Sequence, residues 1–339
     1  MPPRVLAVVS LNRVLSRLYS LGSSSTFAPF QPVQEIRNKL CATSADQEII
    51  VTQASSSTMA SAPPNSEKVY LQGHSQAVLE SHGRRTAQSC AAYLLPHLKP
   101  NFKILDVGCG PGSISTTLAP YVPEGHVTGV DYSPEAVAVG EQLAANAGVK
   151  NVSFQTADAF ALPFADGTFD VVHAHQVVQH VADPVGLLRE MRRVAKPDGG
   201  IVAVREGDAH IWFPDESEEG PGREMTKWFA LWMRMARDQG TEPMTGRRLK
   251  RLGMKAGFDG DSISVQAGTN FFEKESLKQW CETWAKRMTE SEFTTRAIEG
   301  KYATMEELEN LNKAWKEFGQ LDDAWYNNTQ GEAIFTRRD

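Results

Sequence analysis

Three glycines at every second position, Gly108, Gly110 and Gly112, follow directly on Ile104-Leu105-Asp106-Val107 in the stretch "ILDVGCGPGS". Glycine weakens a strand and is usually kept out of its interior. The cluster therefore marks a tight turn at a strand's end, where the backbone approaches something closely. Asp131 lies 23 residues beyond Gly108 and closes a second apolar stretch, "HVTGVD". An acid about 20 residues past such a turn is placed to accept hydrogen bonds from ribose hydroxyls. Together these features form a nucleoside-binding layout. A dinucleotide fingerprint would need glycine at 113, where Ser113 stands. No tyrosine has lysine four positions on. The Tyr–Lys pair of hydride-transfer reductases is thus absent at that spacing, and NAD chemistry is disfavoured.

A second constellation is "HAHQVVQHV", with His173, His175 and His180. His173 and His175 point to the same side of a strand, which is one half of a metal site. No nearby cysteine and no HExxH supplies the other half, so no metal is expected. An imidazole titrates near working pH and serves as a general base. His175 is the candidate for that role, and a histidine hydrogen-bonded at a strand end is the alternative.

The elements that must position these residues are legible. Strands are expected at 103–107, 126–131, 151–156, 169–174, 201–206, 262–268 and 331–338. Between them lie helical patterns: one after the glycine turn, one opened by Ser133 as cap and Pro134 at the first helical position and closed at Gly148, and one over 184–195. Strands alternating with helices imply a parallel sheet covered by helices on both faces. An N-terminal helical stretch runs from about 75 to 98. Helical segments are also expected at about 207–256 and 271–328, where Trp212, Trp228, Trp232, Trp280 and Trp284 cluster. Those tryptophans are either the core of a lid or the wall of a pocket for a flat organic molecule.

The chain has 339 residues, 41 % hydrophobic and 22 % charged, with a net charge of −6. The acidic balance argues against a nucleic-acid surface. Four cysteines, Cys41, Cys90, Cys109 and Cys281, lie far apart with no CxxC pair. A reducing, cytoplasmic compartment follows by default. No apolar run reaches the roughly 20 residues that span a bilayer. Residues 1–66 differ from the rest. They carry no acid before Glu35, an Arg-bearing apolar start, and then "TQASSSTMASAPPNSE", which cannot bury a core. This stretch is read as a dispensable extension ahead of a domain spanning 67–339, or as a mitochondrial presequence.

The set "ILDVGCGPGS", "VTGVDYSPEAV" and "NVSFQTADAFALPFADGTFDVVHAHQVVQHVADPVGLLREMRRVAKPDGG" resembles class I S-adenosylmethionine (SAM)-dependent methyltransferases. It is most similar to the ubiquinone and menaquinone biosynthesis branch. The resemblance is strong over about 100–206. The flanks are similar to fungal-type small-molecule methyltransferases. The resemblance implies a Rossmann-like α/β fold: seven strands, mainly parallel, with an antiparallel last strand, a helical N-terminal cover and a helical insertion before that strand. It also implies SAM as cofactor and a small-molecule methyl acceptor, in secondary metabolism. Carried over residue by residue, Gly108 and Gly110 lie beside the methionine part of SAM, with Gly112 in the same turn and Asp106 near the ammonium. Asp131 holds the ribose diol. Asp158 accepts from the adenine amine, and Tyr132 and Ala159 flank the ring. His175 and Gln176 line the pocket near the methyl group, and Tyr70 and His74 belong to a cover folded over SAM, with Arg85 further along it. Two rivals remain at this point: a mitochondrial quinone-precursor C-methyltransferase, and a non-catalytic methyltransferase-like regulator.

Overall fold

The computed structural model describes residues 83, 85–215, 217 and 220–339. Tyr70, His74, the 1–66 extension and the beginning of the expected N-terminal helix lie outside the described residues.

One sheet holds β1 (Lys103–Val107), β2 (His126–Asp131), β3 (Val152–Thr156), β4 (Val171–His175), β5 (Ile201–Phe213), β6 (Ile263–Glu273) and β7 (Trp325–Thr336). The spatial order is β3-β2-β1-β4-β5-β7-β6. Strands β1 to β5 run parallel, and β7 is inserted antiparallel between β5 and β6. The chain winds from β1 outward to β3, then returns to β4 on the other side of β1. This reversal makes the carboxyl ends of β1 and β4 a topological switch point, where such sheets bind ligands.

Both faces of the central strands are covered, which is why β1 after Lys103 and the whole of β4 are buried at successive positions rather than at alternate ones. Ile104, Val171, Ala203 and Ile334 face Leu94, Ile114 and Leu118. These come from the segment after α1 (Ala87–Cys90) and from α2 (Ser113–Leu118). On the other face Leu105, Val172, Val202 and Val204 meet Leu187, Leu188 and Met191. Between α2 and β3 runs α3 (Pro134–Ala147). Its Ser133 cap accepts from the Ala136 N–H, Pro134 opens it and Gly148 closes it, as the sequence implies. The helix facing Leu105 is α4 (Pro184–Val194), capped by Asp183. Each fully buried Leu or Val contributes about 1.5–3 kcal/mol.

The later part of the chain differs from the expected boundaries. β5 continues to Phe213, β6 continues to Glu273, and β7 starts at Trp325 rather than at 331. The helical insertion is correspondingly shorter: α7 (Lys274–Thr289), α8 (Glu292–Glu299) and α9 (Met305–Phe318). The stretch "WYNNTQGE" is polar and looks like a loop, yet Tyr326, Asn328, Gln330 and Glu332 are buried while Trp325, Asn327, Thr329 and Gly331 are not. Strand periodicity was hidden there because the buried positions carry amides and a carboxylate. α8 holds two β-branched threonines in eight residues, which weakens its helical signal. Ahead of the insertion lie α5 (Pro221–Asp238) and the short α6 (Leu249–Lys255). α5, α7 and α9 pack around Trp228, Trp284 and Trp315 to form a second core, closed against Tyr326 of β7.

Candidate active site

The three glycines of the turn after β1 are all left-handed, with φ of 66°, 53° and 71°. Their missing side chains make room for different things. A Cβ on Gly108 would meet Val177 Cγ2 at 2.6 Å, and one on Gly112 would meet the Phe154 ring at 2.5 Å. Those two positions make room for protein. Among the described residues, a Cβ on Gly110 would meet nothing within 4 Å. Gly110 is thus the glycine whose open side faces space a ligand can use.

Asp131 ends β2 beside this turn and is buried. Its Oδ2 accepts from Gly110 N at 2.9 Å, and its Oδ1 accepts from Ser133 N at 3.0 Å. Each carboxylate oxygen carries two lone pairs, so one remains on each. The carboxylate is thereby locked in orientation while still able to accept from a vicinal diol. Cys109 lies between the glycines. Burial pushes its thiol well above the usual range, and the carboxylates of Asp106 and Asp131 push it further.

Asp106 is also buried, under the turn, and both of its oxygens are engaged by protein groups. Ser115 Oγ donates to Oδ2 at 2.5 Å, and His173 Nδ1 lies 2.7 Å from Oδ1. His173 is therefore directed at Asp106, one strand over and in register with it. Among the described residues no group of three or more His, Cys, Asp or Glu could hold a metal ion.

Asp158 is exposed just beyond β3, and its Oδ1 accepts from Phe160 N at 2.9 Å in a local turn. The Ala157 N–H donates to the Asp131 carbonyl at 2.9 Å, which joins this turn to the end of β2. Ala159 is half-buried, and Tyr132 is 37 % exposed. Phe160, 41 % exposed, was not singled out from sequence. Its signal was available: it stands two residues past Asp158. Two exposed aromatics thus follow the ends of neighbouring strands β2 and β3.

The turn after β4 is the most heavily tied part of the site. His175, the last residue of β4, is buried and in register with Arg205 of β5, which is in turn in register with Glu332 of β7. Arg205 Nε donates to Glu332 Oε1 at 2.9 Å. Gln176 adopts φ of 56°, a left-handed conformation uncommon outside glycine. It is held there by its N–H on the Arg205 carbonyl at 2.8 Å. Its side chain accepts from Arg85 at 2.7 Å and donates to Gln330 at 3.2 Å. Arg85, which sequence reasoning placed near donor or acceptor, therefore docks on the turn after β4. His180, at the end of the turn, is held neutral: burial pushes it down to about 4, and Arg85 adds to the shift.

The extended ends of β5, β6 and β7 carry the aromatic layer. Trp228 and Trp232 stack with centroids 6.0 Å apart, and Trp228 meets Trp284 and Trp315 edge-on at 4.7 and 4.8 Å. Trp284 is buried in the middle of this layer, whereas Trp212, Phe229 and Trp280 border it half-buried. His210 of β5 hydrogen-bonds Tyr326 and is ringed by Trp228, Phe229 and Trp232. Burial lowers His210 to about 4, so it too is neutral.

A glycine turn after β1, an acid ending β2 and the order β3-β2-β1-β4-β5-β7-β6 define a class I SAM-dependent methyltransferase. A family model described as a methyltransferase domain matches residues 98–281, and the chain belongs to that family. An uncharacterised methyltransferase of Schizosaccharomyces pombe is 35 % identical over 227 residues, covering 64 % of this chain and 78 % of that protein. The Aspergillus luteorubrus protein named probable methyltransferase ltbC is 29 % identical over 271 residues, covering 76 % of this chain and 93 % of that protein. Demethylmenaquinone methyltransferase of Listeria monocytogenes is 36 % identical over 118 residues, 34 % of this chain and 50 % of that protein. Among solved structures, the YcgJ protein of Bacillus subtilis covers 73 % of this chain and 97 % of its own, with 20 % identity and a TM-score of 0.49. The cofactor is SAM. The chain is an enzyme, which sets aside the reading as a non-catalytic regulator. No helix among the described residues is long and apolar enough to cross a membrane.

Proposed function

We propose that this methyltransferase transfers the methyl group of SAM to a small organic acceptor in metabolite biosynthesis. One observation carries the donor site. The locked Asp131 carboxylate keeps a lone pair on each oxygen, directly beside the one turn glycine that opens onto free space. In this reading Asp131 holds the ribose diol, Gly108 and Gly110 pass the methionine part, and Gly112 shapes the turn. Asp158, Tyr132 and Ala159 contact the adenine, and Phe160 adds a second aromatic surface. Asp106, held beneath the turn by Ser115 and His173, lies near the ammonium of the donor. Tyr70 and His74, which lie outside the described residues, are assigned to donor contact on the resemblance alone.

The sulfonium of the bound donor supplies a strongly electrophilic methyl group. What the chain itself must do is align a nucleophile in line with it and exclude water. Gln176 and His175 stand at the end of β4 for that purpose, and His175 receives the acceptor's proton where one is released. The aromatic layer above β5, β6 and β7 supports a flat organic acceptor, with Trp212 and Phe229 on its half-buried border. The similarity over most of both chains to the Aspergillus luteorubrus protein named probable methyltransferase supports the fungal-type branch, and secondary metabolism is the setting we assign to it. Methylation of a quinone precursor is the second reading, supported by the likeness to demethylmenaquinone methyltransferase over a third of this chain.

The test uses the purified protein with methyl-labelled SAM and a cell extract separated by size. Label is expected in the low-molecular-weight fraction. Label confined to protein or nucleic acid would overturn the small-molecule reading.

A further inference from the structure

Glu206, on β5, is completely buried and belongs to none of the groups assigned to donor or acceptor above. Its Oε1 accepts from Val177 N at 2.9 Å and from Val178 N at 2.8 Å. Its Oε2 accepts from Gln179 N at 3.2 Å. One carboxyl group thus gathers three consecutive main-chain N–H groups of the turn after β4. The next residue completes a reciprocal clamp: Gly207 N donates to Gln179 Oε1 at 2.9 Å. Gln176 N on the Arg205 carbonyl adds a fifth bond between this turn and β5.

The clamped turn is also what the glycine turn rests on. The Val177 side chain occupies the place where a Gly108 Cβ would stand, 2.6 Å from its Cγ2. A shift of Val177 therefore moves the surface that supports Gly108, and with it the path of the backbone towards Gly110. Packed interiors transmit such shifts because they contain little free space. The same turn receives the N-terminal segment through Arg85 on Gln176 and reaches β7 through Gln176 on Gln330. Four parts of the site meet on it.

We propose that Glu206 is a positioning residue for the methyl donor: by capping the N–H groups of residues 177–179 it fixes the turn after β4, and through Val177 it sets the position of the Gly108–Gly110 turn. This rests on the reading that the glycine turn holds SAM. The carboxyl touches neither donor nor acceptor and acts only through main chain and Val177. Burial pushes it up to about 8, against the three N–H groups and Arg85, so a neutral side chain of the same shape is tolerated there.

Glu206→Ala removes the acceptors of all three N–H groups, whereas Glu206→Gln keeps a carbonyl for Val177 and Val178 but turns an amide NH2, a donor, towards the Gln179 N–H. Val177→Ala takes away the support under Gly108. SAM affinity of the full chain and of each variant is measured by calorimetry, with melting temperature recorded beside it. SAM binding is expected to weaken about 10-fold or more in Glu206→Ala and about 2- to 4-fold in Glu206→Gln. The double variant Glu206→Ala/Val177→Ala should be little worse than the weaker single, because both act on one support. If Glu206→Ala does not fold, Glu206→Gln and Val177→Ala carry the same comparison. Variants that melt lower but bind SAM as tightly as the parent would overturn the proposal and leave Glu206 a plain structural cap. A parent chain that binds no SAM would instead remove the donor-site reading, and the proposal with it.

Discussion

His173 and Asp106 stand opposite each other on adjacent parallel strands, with Nδ1 and Oδ1 2.7 Å apart and both residues buried. Ser115 on α2 donates to the other oxygen of the same carboxylate. Asp106 thus joins β1, β4 and α2 directly beneath the glycine turn. Asp106→Ala would leave the imidazole N–H and the hydroxyl buried without acceptors, at about 2–4 kcal/mol in total. Urea unfolding should show that loss. A variant as stable as the parent would mean that this junction contributes nothing to the fold.

The glycine turn, the acid ending β2 and the capped start of α3 were legible because they are constrained by backbone as well as by chemistry. The left-handed turn, with φ of 66°, 53° and 71° at its three glycines, favours glycine, and Ser133 and Pro134 suit the opening of α3. Such constraints leave marks at fixed spacing. The clamp by Glu206 left none, because it pairs β5 with a turn 27 to 29 residues earlier. The buried amides of β7 were equally hidden: Asn328 and Gln330 read as loop residues until their partners are known. Arg85 was noticed, but only the fold shows it reaching Gln176.

Trp284 is buried among Trp228 and Trp315, and the Arg287 guanidinium lies 4.9 Å from the centre of its ring. That environment belongs to core more than to an open acceptor wall. Trp284→Ala should cost about 3–5 kcal/mol, and Trp212→Ala, at the half-buried border, should raise the acceptor's KM more than SAM's. Thermal melting and steady-state kinetics separate the two. The reverse pattern, a stable Trp284→Ala with a raised acceptor KM, would make the inner tryptophans the acceptor wall.

The raised Glu206 carboxyl has a consequence for pH. Its ordinary value is 4.5 and its folded value about 8, so the folded chain holds a proton there that the unfolded chain releases. The stabilisation is fully present below about pH 4.5 and is lost as pH rises through about 8. Relative to Glu206→Gln, the parent should therefore lose stability steadily between those values, by about 1.4 kcal/mol per pH unit at most. Denaturation at a series of pH values checks this. A constant difference between the two proteins would show that Glu206 titrates alike in both states.

His175 ends β4 next to the turn carrying Gln176. If it takes the acceptor's proton, His175→Ala should lower turnover about 10²-fold or more while SAM affinity stays close to the parent's. The comparison needs the acceptor found by the labelling assay. Equal turnover at every pH would leave alignment and exclusion of water as the whole of the chain's contribution.

The central claim is that Asp131, oriented by Gly110 and Ser133, holds the methyl donor. Asp131→Ala removes the paired acceptor of a buried diol, a loss of about 2–4 kcal/mol. The direct measurement is calorimetric titration of SAM into the parent and into Asp131→Ala, with circular dichroism confirming that the variant is folded. The expected result is saturable one-to-one binding by the parent and a loss of affinity of about 30-fold or more in the variant. Unchanged SAM affinity in a folded Asp131→Ala protein would contradict the account.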